Sequence, residues 1–186
     1  MKTLAFKSGG KFRNWLGKNH ANSEGIWLKF YKKGSGKESI TRAAALDEAL
    51  CFGWIDGQAN PSDDESWIQK FTPRRPKSGW SKLNTQHVER LTIAGAMTTA
   101  GLKAVEAAKA DGRWQNAYDA PRNSAPPEDF LKALDKDKKA KAFFKILNRA
   151  NVYAIVYRLQ TARRQETRKR RMEMILKMLA NGEKFH

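Results

Sequence analysis

The chain has 186 residues, with 36 Lys and Arg against 19 Asp and Glu, for a formal net charge of +17. No apolar run approaches the roughly 20 residues of a membrane helix, the opening MKTLAFKSGG lacks the apolar core of an export signal, and the single cysteine, Cys51, can form neither an intramolecular disulfide nor a cysteine-based zinc site. A hydrophobic fraction of 40%, with six Trp and nine Phe, is too high for a disordered chain, so a soluble globular protein of the reducing cytoplasm is expected.

The excess charge is uneven. Residues 1–128 hold 20 basic and 13 acidic side chains, and residues 129–186 hold 16 and 6. Composition changes near residue 120, where DAPRNSAPP at 119–127 is rich in Pro, Ser and Asn and has no large apolar residue, the mark of a linker. We therefore expect a first domain over 1–118, a linker over 119–127 and a helical module over 128–186.

In chain order, Phe12, Trp15 and Leu16 fall on one face of a short helix over 12–19. The run GIWLKFY at 25–31 is aromatic and β-branched and stops at the turn residues Gly34, Ser35 and Gly36, which predicts a strand. Thr41 precedes an Ala-rich run over 42–51, with Leu46, Ala49 and Leu50 on one face and Gly53 beyond its end, which predicts a capped helix. Aromatic runs at 54–58 and 66–72 flank a Pro/Asp loop at 60–65 and predict a hairpin. Pro73 and Pro76 end it, because neither can donate to a ladder. Spacing predicts helices over 85–94 and 99–111, the second bracketed by Gly101 and Gly112. About three strands with several helices make this part α+β, a small antiparallel sheet with helices packed on it. The tail reads as all helix. It starts at Pro126, Pro127, Glu128 and Asp129, where a first turn tolerates Pro and favours acids. Helices over 138–147, 151–163 and 165–180 follow, with Asn181 and Gly182 as a C-cap.

The densest chemistry lies in FTPRRPKSGWSKLN at 71–84, where Arg74, Arg75, Lys77 and Lys82 stand with Ser78, Trp80, Ser81 and Asn84. Arginine offers a planar, bidentate donor fork. Ser, Asn and backbone amides at a helix start add neutral donors, and proline limits the freedom lost on binding. One reading is a loop that binds phosphate or carboxylate. The other pairs Arg74 and Arg75 with the Asp63–Glu65 loop and places Trp80 in the core. Asp56 is a salt-bridge partner of this loop or half of an acid/base site, and His87, three residues past Asn84, is a candidate base. Cys51 ends an apolar helix with no neighbour to depress its pKa. The histidines have no ligand spacing, so no metal is expected. No cofactor is expected either: the GSGK at 34–37 departs from a phosphate loop, with Tyr31 and Glu38 where Gly and Ser or Thr belong. In the tail, RRQETRKRR at 163–171 puts Arg164, Arg168 and Arg171 on one helix face, with Met172, Ile175, Leu176 and Leu179 as the buried stripe. Such a face tracks phosphates or is simply solvated.

The run LDEALCFGWIDG at 46–57, FTPRR at 71–75, Ser78, Trp80, Lys82, Asn84, Gly95, Met97, Gly101 and AKADGRW at 108–114 resemble the bacterial YdeI/OmpD-associated family, also labelled bacteriocin-protection proteins. Phe144, Leu147, Leu159, Ala162, ETR at 166–168, Arg171, Leu179 and Gly182 resemble its C-terminal helical module, with Met172 and Asn148 as departures. The resemblance implies an N-terminal domain similar to the YdhG and YjbR/CyaY-like α+β group, and it implies no particular activity. The acidic ridge of frataxin-like iron binders has no counterpart in this basic chain, so iron binding does not carry over.

Three functions follow. The first is a non-enzymatic binding protein for an anionic partner, nucleic acid or another phosphorylated ligand. The second is a small enzyme or ligand-binding protein acting on a phosphorylated or carboxylated molecule, with Asp56 or His87 handling protons. The third is a protein-interaction module tied to bacteriocin or envelope-stress protection.

Overall fold

The computed structural model describes residues 1–121 and 123–185. They group into two compact units: Met1–Trp80 with Asn84–Gln115, and Ser81–Leu83 with the chain from Asn116 on.

The first unit is built on strands β1 (Thr3–Ala5), β2 (Ile26–Tyr31), β3 (Trp54–Asp63) and β4 (Ser66–Pro73), in the order β1-β2-β4-β3. The sheet is mixed, which corrects the antiparallel expectation. β1 runs parallel to β2, while β2/β4 and β3/β4 are antiparallel. Helix α1 (Gly9–Asn19) joins β1 to β2, and parallel neighbours require such a crossover. Ser8 caps α1, and Phe12 and Leu16 are its buried face. β2 alternates cleanly, with Ile26, Leu28 and Phe30 inward.

β3 extends further than the hairpin motif suggested, through Pro61 to a two-residue turn at Asp64 and Glu65. It is an edge strand with two irregularities in register, and an edge tolerates a residue that cannot donate. Helix α2 (Arg42–Cys51) is capped by Thr41 and buries Ala45, Leu46, Ala49, Leu50 and Cys51. α3 (Lys82–Ile93) and α4 (Thr99–Ala110) follow, the second capped by Thr98. α4 starts hard against the end of α2: the Thr98 hydroxyl donates to the Cys51 carbonyl at 2.6 Å. A Cβ at Gly101 would lie 2.2 Å from that same oxygen, so only glycine permits the approach. Phe12, Phe71, Trp15 and Trp54 mesh edge to face at the centre of the unit.

From Glu128 on, the second unit is built of helices: α5 (Glu128–Leu134), α6 (Lys138–Lys145), α7 (Arg149–Gln160) and α8 (Gln165–Ala180). Asp137 caps α6 and Asn148 caps α7, so α7 begins two residues earlier and ends three earlier than apolar spacing alone suggested. Phe130, Leu134, Ala140, Ile155, Leu159, Ile175 and Leu179 form its core, with Met172 and Leu176 half-buried against it. No helix among the described residues is long and apolar enough to cross a membrane.

Candidate functional site

β4 delivers the chain to the basic loop. The Arg74 amide donates to the Gly53 carbonyl at 3.0 Å, tying the loop's start to the turn after α2. Residues 75–78 then make a tight turn, closed by the Ser78 amide on the Arg75 carbonyl at 3.1 Å. Pro76 holds its second position and Lys77 its third, with φ of 66°. A type II turn needs that left-handed third residue, a place that glycine normally fills. Lys77 is the one non-glycine residue with positive φ among those described, and it carries a strain that glycine would not.

Beneath the turn, Trp80 is 2% exposed. The Arg74 guanidinium lies flat over its ring, 3.5 Å from the centroid, and donates to the Gly79 carbonyl at 3.1 Å. This stack is of the cation–π kind. Arg113, 8% exposed, braces the other side: its Nε contacts both Asp111 carboxylate oxygens at 2.7 Å, and its Nη1 donates to the Ser78 carbonyl at 2.9 Å. Two buried polar atoms at the base, Ser78 Oγ and Trp80 Nε1, find no hydrogen-bond partner among the described residues. Arg75 and Lys77 point outward and are exposed, and no carboxylate among the described residues pairs with either.

The competing pairing of this loop with Asp63–Glu65 does not form. Asp63 is taken by Lys29 at 3.0 Å and Glu65 by Lys37 at 2.6 Å. Hydrogen bonding from Ser66 and Lys29 brings the Asp63 pKa down to about 2. Ser81 and Lys82 group with the second unit, where Ser81 bridges to Tyr118 and Lys82 pairs with Asp119 at 2.8 Å. That ammonium is also the main cause of a lowered Asp119 pKa. Asn84 lies half-buried on α3 in the first unit. The contiguous run of candidates is therefore divided, with Arg74–Trp80 on one unit and Ser81 on the other.

Asp56 faces Arg42 at 2.5 Å and accepts from the Gln69 side chain at 3.0 Å, not from Arg74 or Arg75. His87 sits 2.8 Å from Asp47, which Arg90 also holds at 2.6 Å. Each thus stands in a bridge between elements of the fold. Burial pushes the Cys51 thiol up, away from the thiolate that a nucleophile needs. No group of three or more His, Cys, Asp or Glu among the described residues is placed to hold a metal.

The three tail arginines have three different surroundings. Arg164 is exposed at the cap of α8. Arg168 makes a two-pronged ion pair with Asp129, whose pKa it lowers. Arg171 donates to the Arg158 carbonyl at 2.7 Å and the Thr161 hydroxyl at 3.3 Å. It also lines a groove of about 700 Å³ along α7, with Tyr153, Ala154, Tyr157 and Arg158. Sequence reasoning passed over this groove. Its signal was Tyr153 and Tyr157, one turn apart on α7 beside small Ala150 and Ala154.

Residues 4–104 match the model of a family described as "Domain of unknown function (DUF8412)". Residues 123–182 match the model of a family described as "Bacteriocin-protection, YdeI or OmpD-Associated". The likeness expected for the tail is therefore found, whereas the N-terminal match is to DUF8412 and not to the YdhG or YjbR/CyaY-like group. No curated protein and no solved structure matches the chain.

Proposed function

The chain belongs to the family described as "Domain of unknown function (DUF8412)", and within that family we propose that it is a non-enzymatic binding protein for a phosphate-bearing partner, nucleic acid foremost, with the 74–80 loop as its contact. The observation that carries this reading is Lys77. A left-handed backbone at a non-glycine residue costs on the order of 1 kcal/mol. A strain kept at the tip of a basic loop, where glycine would remove it, points to a use for the side chain. The turn aims Lys77 and its neighbour Arg75 outward. Pro73, Pro76 and the Arg74–Trp80 stack hold the turn's base, so little freedom is lost when a phosphate docks. The net charge of +17 supplies the long-range attraction. An acid/base role for Asp56 or His87 has less support, since Asp56 is held by Arg42 and Gln69 and His87 by Asp47.

Fluorescence anisotropy with labelled duplex and single-stranded oligonucleotides tests the reading. Binding at low salt that weakens steeply as salt rises is the expected result. No binding at low salt, or an affinity indifferent to salt, overturns it.

A further inference from the structure

The α7 groove carries a second site, independent of the loop. Tyr153, Ala154 and Tyr157 make its apolar floor, and Arg149, Arg158, Thr161 and Arg171 line it as well. The tyrosine rings are 6.0 Å apart and tilted by 45°, and Tyr118 meets Tyr157 edge-on at 4.9 Å. Burial raises the Tyr153 pKa, so its phenol stays neutral. A space of about 700 Å³ has the size of a small-molecule site.

Charge decides the kind of ligand. Arg171 is half-buried and fixed by two neutral acceptors, the Arg158 carbonyl and the Thr161 hydroxyl. The Arg158 guanidinium packs over the Phe185 ring at 4.5 Å. Among the described residues, no carboxylate pairs with either arginine, whereas Arg168 on the same helix has Asp129. The groove thus keeps positive charge beside an aromatic, apolar floor and holds no acid of its own among its lining residues. Duplex nucleic acid would leave that floor unused, because it presents its phosphates and keeps its bases paired and stacked on one another. A single anionic group on a ring system uses both parts.

We propose that this groove binds an aromatic carboxylate, with its ring system on Tyr153, Ala154 and Tyr157 and its carboxylate on the free N–H edge of Arg171. A planar guanidinium takes a carboxylate through two parallel hydrogen bonds. The tyrosines prefer the offset or edge-on contacts that a second ring offers.

Titration calorimetry with 2-naphthoate and its neutral isostere 2-naphthamide, on the full chain at moderate salt, tests the assignment. Saturable 1:1 binding of the acid, roughly tenfold or more tighter than the amide, is expected from a charge-assisted pair at a half-buried arginine. Arg171→Gln should erase the preference for the acid. Ala154→Phe, which fills the floor and leaves every charge in place, should abolish binding of both probes. Thermal melts of both variants confirm that they fold, and the acid–amide comparison on the unaltered chain stands without them. Equal affinity for acid and amide overturns the proposal. So does undiminished naphthoate binding in a folded Ala154→Phe variant, which would place the anion elsewhere on the basic surface. Loss of duplex DNA binding on altering the 74–80 loop, with naphthoate binding intact, keeps the two sites separate.

Discussion

Gly101→Ala should be among the most damaging single-methyl additions in the first unit. The added Cβ would sit 2.2 Å from the Cys51 carbonyl oxygen, 2.8 Å from its carbon and 2.9 Å from the Met97 methyl. Met97 can swing aside, but the Cys51 carbonyl belongs to the last turn of α2 and cannot. Ordinary C···O approach is about 3.3–3.6 Å, so the start of α4 must retreat by roughly 1 Å or more. The retreat strains the hydrogen bonds that the Thr98 hydroxyl and amide make to Cys51, at 2.6 and 3.1 Å. Overpacking of this kind costs about 1–3 kcal/mol, and two weakened hydrogen bonds add about 1 kcal/mol each. Alanine's better helix propensity returns about 1 kcal/mol. The net is a loss of about 2–4 kcal/mol. Urea unfolding followed by circular dichroism would read it as a lower midpoint at unchanged slope. An unchanged or raised midpoint would refute the close approach of α4 to α2.

Lys77→Gly should raise stability by up to about 1 kcal/mol, since relief of the left-handed strain outweighs the entropy that glycine adds to the unfolded chain, while oligonucleotide affinity falls; a stability loss would show that the lysine side chain holds the fold. Asp56→Ala should cost about 1–2 kcal/mol, because Arg42 and the buried Gln69 each lose one of their acceptors, yet leave oligonucleotide affinity unchanged; a large affinity change would return Asp56 to the site. Arg168 holds the Asp129 pKa below its usual value, so the pair stabilises the fold above an unfolded pKa of about 3.9 and the contribution is lost as pH falls through the depressed folded value. Asp129→Asn should therefore lower stability slightly at neutral pH and flatten the decline below about pH 4, read by melts across pH. An acid limb as steep as that of the unaltered chain would contradict this.

The helices were the most legible part of the fold, for a local reason. Thr41 ahead of an Ala-rich face and Asn181 with Gly182 behind α8 are short-range signals, and they lie where the spacing placed them. β1 was silent because three residues carry no period and its partner is reached only across α1. The full length of β3 was hidden by Pro61, which argues against a strand until the strand is known to lie at an edge. At the candidate site, composition alone exposed the concentration of Arg74, Arg75, Lys77 and Trp80. Sequence could not show that Trp80 is the platform for Arg74, nor that a turn with no glycine at its third position turns left-handed at Lys77. For the tail stripe, i, i+4 and i+7 spacing aligned Arg164, Arg168 and Arg171 but could not show the tertiary contacts, in which Asp129 holds Arg168 and the end of α7 holds Arg171.

The salt dependence of duplex DNA binding, compared between the unaltered chain and an Arg75→Ala/Lys77→Gly double variant, tests the central claim most directly. Two phosphate contacts removed from duplex DNA should make the slope of log affinity against log salt shallower by about 1.8, with the fold confirmed by an unchanged or higher melting temperature. Equal slopes for the two proteins would contradict the assignment of the 74–80 loop as the phosphate contact.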